Sequence, residues 1–257
     1  MIAPDMSDEL RLDGKVALIT GAARRVGRAI ALELGRAGAR IWVHHHTGAA
    51  AAAATVAALG KVGISATAVA ADLRDAAATA ALFDRVAAAG GLDVLVNSAA
   101  AFERLPFEEI DDERLAAMLA LNLVAPFRCA RLALPLLRAR RGVIINVLDV
   151  AATQAWPGFA HYCASKAALH MLTKVLAVEL APAVRVCGVS PGTVLPPESY
   201  DEETRRRIVA KIPMGRAGSP ADVAAAVRFL AAGPEFVTGA IIAVDGGRGA
   251  AGSAVGE

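Results

Sequence analysis

Two side chains in "HYCASKAAL", Tyr162 and Lys166, are spaced to work together. Four residues apart on a helix, they share one face. A lysine beside a phenol favours the phenolate, which makes a proton donor or acceptor usable near neutral pH. Two exposed helix residues would show the same spacing. A second stretch, "TGAARRVG", stands between an apolar run and a helical one. There Gly21 allows a tight turn, Gly27 allows close helix packing, and the helix N-terminus faces a pyrophosphate. An ordinary βα turn reads the same way. The middle of the loop carries Arg25, whose planar charged fork, turned outward, would hang over phosphates and the cleft beyond.

The second apolar run ends "VHHHTG", with no carboxylate to hold ribose hydroxyls. With Arg24 and Arg25 nearby, His44, His46 and Thr47 fall where a 2′-phosphate would lie, which predicts NADPH over NADH. A metal held by His44, His45 and His46 is set aside. Neighbouring strand residues point to opposite faces, so the three cannot converge. His161 and His170 read as satisfied structural histidines beside the Tyr162 helix, and Trp156 reads either as a cleft residue or as a loop cap.

These residues need a scaffold, and the chain supplies a regular one. Apolar runs "KVALIT", "ARIWVHH", "ISATAVAADL", "LDVLVNSA", "GVIINVLD", "VRVCGVSPG" and "GAIIAVDGG" read as strands. Helical patterns such as "RAIALELGR", "AALFDRVAAA", "PFRCARLALPLLRARR" and "YCASKAALHMLTKVLAVELA" lie between them. Fully apolar strands alternating with helices predict a doubly wound α/β fold, a seven-stranded parallel sheet covered on both faces. No linker or repeat divides the chain, so residues 1–257 read as one domain. The longest stretch without a strand, Pro191 to Pro220, reads as a substrate lid over about 192–220, with "ESYDEETRRR" its solvated face.

Basic and acidic residues balance, 27 against 25, which offers no basic stripe for nucleic acid. Cys129, Cys163 and Cys187 lack disulfide or zinc spacing and suit a reducing compartment. The charged start "MIAPDMSDELRL" does not read as a signal peptide, and no apolar run reads as a bilayer span. The expectation is a cytoplasmic protein with no membrane or nucleic-acid partner.

From Lys15 to Arg248 the sequence resembles the short-chain dehydrogenase/reductase family. The resemblance rests on "TGAARRVG", "ADL" with Asp72, "NSAA" with Asn97, "LNLVAPF" with Asn122, "YCASK", "VSPG" with Pro191 and Gly192, and "VDGG". It implies a Rossmann-type domain binding NAD(P), assembled as a homotetramer. Tyr162 would be the catalytic acid, and Asn122 would complete a water relay with Lys166. The cofactor would meet Gly21, Arg24, Arg25, Val26 and Gly27, then Asp72 and Leu73, then Asn97, Ser98 and Ala99, and finally Pro191 and Gly192. Two departures stand out. Asp149 occupies the place of the family's carbonyl-polarising serine, where a carboxylate accepts hydrogen bonds from a substrate and cannot donate one unless protonated. Arg25 occupies the middle of the glycine loop.

Both departures, with Phe102 after "NSAA", resemble pteridine reductases and dihydromonapterin reductases. Ala100 and Ala101 stand where that subgroup carries small hydroxyl residues, and Thr47 where it carries a basic one. The resemblance implies NADPH-dependent reduction of a pterin, dihydropterin or dihydrofolate, with Phe102 stacked on the ring and Arg25, Asp149 and Tyr162 at its edge. One alternative is a carbonyl/alcohol oxidoreductase of the same family. Another is a non-catalytic NADP-binding scaffold.

Overall fold

A computed structural model describes residues 10–195 and 201–251. Seven strands form one parallel sheet: β1 (Val16–Ile19), β2 (Arg40–His45), β3 (Ala66–Ala70), β4 (Val94–Asn97), β5 (Val143–Val147), β6 (Arg185–Pro191) and β7 (Ile241–Val244). Their spatial order is β3-β2-β1-β4-β5-β6-β7. The order reverses at β1, which pairs with β2 on one side and β4 on the other. Chains leaving the carboxyl ends of β1 and β4 therefore diverge, opening the crevice where such sheets bind ligands.

Unbroken apolar strands arise because successive side chains enter two different cores. Ala17 and Ile19 of β1, Val94 and Val96 of β4 and Ile145 of β5 face one layer. Leu18, Leu95 and Ile144 face the other. Helices α1 (Arg25–Arg36) and α8 (Pro220–Ala232) cover the first face through Ile30, Leu34, Val223 and Val227. The second is covered by α3 (Ala76–Ala88) and α5 (Ala125–Arg140), through Leu82, Val86, Ala133 and Leu137. The alanine run forms α2 (Ala49–Gly60).

Local chemistry sets the helix starts. Asp75 accepts from Ala77 N and Ala78 N ahead of α3, and Ser219 and Asp222 form a capping box before Pro220 of α8. Between β4 and α5, α4 (Asp112–Leu119) and a π turn (Ala120–Val124) extend the helical pattern seen in the sequence. The whole run Asp112–Arg140 is long and apolar enough to cross a membrane by length and composition, contrary to the expectation of no such run. Its α5 portion lays Cys129, Ala133 and Leu137 on the sheet, as a core helix does. Helices α6 (Ala160–Leu180) and α7 (Glu202–Ala210) complete the order. Of the expected lid, 196–200, including the start of "ESYDEETRRR", lies outside the described residues.

Candidate active site

The loop after β1 is built too tightly for larger residues. Gly21 has φ 67°, and a Cβ there would lie 3.0 Å from Ala99 Cα. A Cβ on Gly27 would collide with the Gly21 carbonyl. Arg25 also holds a left-handed φ, 51°, an uncommon backbone for a residue with a Cβ. Its side chain turns outward, and Nη2 donates to Leu195 O at 2.9 Å, tying this loop to the segment after β6. Arg24 turns the other way, its guanidinium against Gly48 at the turn after β2. No side chain caps the start of α1, which leaves its first backbone N–H groups without a capping acceptor.

His44 takes a different place from the one its spacing suggests. It is 2% exposed, and both ring nitrogens are engaged inside the protein. Nδ1 accepts from Gly21 N at 3.1 Å and Nε2 meets Ala71 O at 3.1 Å, so the proton sits on Nε2. Burial is the main cause pushing its pKa down to about 4. His44 is thus a neutral strut under the loop, not a phosphate ligand. His46 and Thr47 are exposed, with His46 3.8 Å from Asp72. Asp72 is gripped by Arg74 at 2.8 Å, which holds its carboxyl well below the usual range, at about 2. Leu73 is buried, and its carbonyl accepts from Arg128.

Asn97 closes β4, buried, with Nδ2 donating to Asn146 Oδ1 at 2.9 Å. Its Oδ1 is buried without a hydrogen-bond partner, which in a polar crevice marks a place for a ligand donor. Ser98 N and Ala99 N both donate to Thr20 Oγ1. Pro191 ends β6 and Gly192 follows it, where a Cβ on Gly192 would strike Asp245. Loop, uncapped helix start and orphaned Asn97 oxygen together fit a dinucleotide along the carboxyl edge of the sheet.

Asp149 leaves the end of β5 and starts a single 3₁₀ turn, Val150–Ala152, by accepting from Ala151 N at 2.8 Å. Its other oxygen accepts from the Tyr162 hydroxyl at 2.8 Å. Lys166, one turn along α6, donates to Val147 O at 3.0 Å and lies 5.9 Å from the Tyr162 ring centre. Burial pushes the Asp149 carboxyl up and the Lys166 ammonium down to about 8. Tyr162 is pushed far above a free phenol, first by burial and then by the adjacent Asp149 charge. This corrects the expectation that Lys166 makes Tyr162 readily ionised, because Asp149 is the nearer charge. Asn122, placed by the π turn, bonds to the Ala101 backbone and to Ser165 Oγ rather than to Lys166.

Phe102 stands half exposed above Tyr162, edge-on at 4.8 Å, and stacks on Phe159 at 4.9 Å. With Arg25, Val26, Asp149 and Tyr162 it lines a cleft of about 580 Å³. The same wall contains Phe159, Ile208 and Arg248, none of which the motif reading found, and it settles Trp156 as a cleft residue. Phe159 could have been found three residues before Tyr162, but Arg248 carries no local signal. His161 is buried yet not satisfied: neither ring nitrogen has a hydrogen-bond partner, and its nearest charge is Glu103 at 3.5 Å.

A family model described as Enoyl-(Acyl carrier protein) reductase matches residues 21–248. The chain is 37% identical to 3beta-hydroxysteroid dehydrogenase 1 of Eggerthella lenta, over 94% of this chain and 95% of that one. It is 39% identical to D-threitol dehydrogenase of Mycolicibacterium smegmatis, covering 93% and 94%. A gluconate 5-dehydrogenase from Burkholderia cenocepacia, solved with NADP and tartrate, matches with TM-score 0.90 at 31% identity, covering 96% and 99%.

Proposed function

Because this chain belongs to the short-chain dehydrogenase/reductase family, we propose that it is an NADP(H)-dependent oxidoreductase of an alcohol–carbonyl pair. The names of its relatives carry that chemistry for steroid, threitol and gluconate dehydrogenases. The observation that carries the reading is the Tyr162 hydroxyl at a cleft beside a fitting dinucleotide crevice, with Lys166 Nζ 5.9 Å from the Tyr162 ring centre. When bound, the dinucleotide supplies or accepts the hydride. Tyr162 holds the proton that the substrate oxygen gains or loses, with Asp149 accepting its hydrogen bond and Lys166 5.9 Å from its ring centre. Asp149 accepts from a donor on the substrate, which suits an alcohol hydroxyl better than a bare carbonyl.

A second reading, reduction of a pterin, dihydropterin or dihydrofolate, is favoured by one specific observation. A carboxylate acceptor at Asp149 and a half-exposed ring at Phe102 suit a flat heterocycle with N–H donors along its edge. Turnover of NADPH with a panel of ketones and pterins separates the two, and Asp149→Ser sharpens the test. Gain of ketone reduction with loss of pterin reduction supports the pterin reading, whereas unchanged ketone activity with inert pterins removes it. NADPH bound without any turnover would leave the scaffold reading.

Selectivity for NADPH over NADH belongs to the proposal and is supported by Arg24 beside Gly48 and by the lack of an acid at the end of β2. So does a homotetramer, supported by exposed Val124 at the end of the π turn, Phe127 on α5 and Met171, Val175 and Val178 on α6. Free Cys129, Cys163 and Cys187 support a cytoplasmic setting.

A further inference from the structure

Two guanidinium groups line the cleft, Arg25 from the loop after β1 and Arg248 from the turn after β7. Neither has a carboxylate within ion-pair distance among the described residues. Arg25 is committed to the pyrophosphate side, bonded to Leu195 O and set at the start of α1. Arg248 stands elsewhere, its Cζ over the Trp156 ring at 5.5 Å from the centroid, with Nη1 donating to Thr193 Oγ1 at 3.1 Å.

Those two contacts hold the Arg248 head in place and leave its remaining donors without a partner among the described residues. Nearby acids do not neutralise it. Asp245 turns its carboxylate back to Gly247 N and Gly249 N, at 2.9 and 2.6 Å. Asp149 is bonded to the Tyr162 hydroxyl and Ala151 N. A half-buried guanidinium with no counter-charge is costly, and an arriving oxyanion removes that cost while using the geometry of the fork. The cation–π contact with Trp156 favours such a site further, since it helps to place the guanidinium before the anion arrives.

We propose that the substrate carries a carboxylate or phosphate group, which Arg248 seats against Trp156 while the reacting end meets Tyr162 and Asp149. This rests on the reading of the cleft as the oxidoreductase's substrate site. It applies equally to a hydroxy or keto acid and to a heterocycle with an acidic tail. Arg248 then sets specificity and leaves the chemistry to Tyr162.

The kinetic test pairs an anionic substrate with a neutral analogue: a keto acid with its methyl ester, and dihydrofolate with dihydrobiopterin. Arg248→Gln should raise KM for the anionic member by about ten- to a hundredfold, the range for a lost charged hydrogen bond. KM for the neutral member, and kcat for both, should hold. An equal rise for both members overturns the proposal. A binding test stands apart from turnover: succinate and inorganic phosphate are titrated against Trp156 fluorescence, with and without saturating NADP⁺. Trp42 is buried in the core and reports little. A saturable change with succinate alone assigns a carboxylate, and with phosphate alone a phosphate. In either case it must vanish in Arg248→Gln. No change in the wild type, or the same change in the variant, overturns the proposal even if every substrate proves inert.

Discussion

Replacing His44 by glutamine should flatten the dependence of stability on acid. In the folded chain the His44 ring is buried, and its pKa is pushed down to about 4 from an ordinary 6.5. Above pH 6.5 the ring is neutral in both folded and unfolded chains and contributes nothing to the pH dependence. Below that, the unfolded chain takes up a proton that the folded chain refuses, so stability falls as pH falls. The slope approaches about 1.4 kcal/mol per pH unit, and the loss reaches about 3 kcal/mol by pH 4 before levelling off. That is a large share of the roughly 5–15 kcal/mol that holds a typical domain together. Glutamine can still offer one acceptor towards Gly21 N and one donor towards Ala71 O, but it cannot titrate. Urea unfolding from pH 7 to 4.5, with wild type and His44→Gln compared at each pH, isolates this residue from the carboxylates that titrate alongside it. The variant should lose less stability over that range, by about 2.4 kcal/mol. Parallel curves would refute the assignment of His44 as a buried neutral strut.

Gly27→Ala should abolish NADPH binding with the fold retained by circular dichroism, since the new methyl collides with the Gly21 carbonyl and opens the loop. Arg24→Ala should narrow the NADPH-to-NADH affinity ratio by about tenfold or more, the scale of a lost hydrogen bond to a charged group, as read by cofactor fluorescence titration. Lys166 is held near 8 by burial, so its ammonium is lost as pH rises through that value. Activity should fall on the alkaline side, and Lys166→Met should lower kcat and remove that limb of the profile. Phe102→Ala should weaken flat substrates by about 0.5–1.5 kcal/mol more than non-planar ones, measured as the ratio of their kcat/KM values.

The layered sheet was legible because burial on both faces leaves unbroken apolar strands, as in "VALI" and "VIIN". The start of α4 and the π turn at Asn122 were not, because a bulge in helical hydrogen bonding leaves no mark on spacing. Tyr162 and Lys166 could be paired from helical geometry alone. Asp149 could be noticed from its place before Tyr162, yet not its effect, since the charge acts through a contact made only when β5 and α6 pack. The histidine run shows the limit in the other direction. Polar residues at a strand end suggested a cofactor edge, while the folded chain turns His44 inward, between Gly21 N and Ala71 O.

What the sequence determined by itself was local: the glycines a tight turn demands, the alternation that fills two cores, and the single helix face shared by Tyr162 and Lys166. Short-range sterics and periodicity decide such features, so a few neighbouring residues suffice to read them. The tertiary structure alone decided which distant groups meet. Arg25 reaches Leu195, Tyr162 gives its hydrogen bond to Asp149, and Arg248 comes to rest on Trp156 beside Thr193. Electric fields and hydrogen bonds depend on distance in space, and only the closed sheet and its packed helices set those distances.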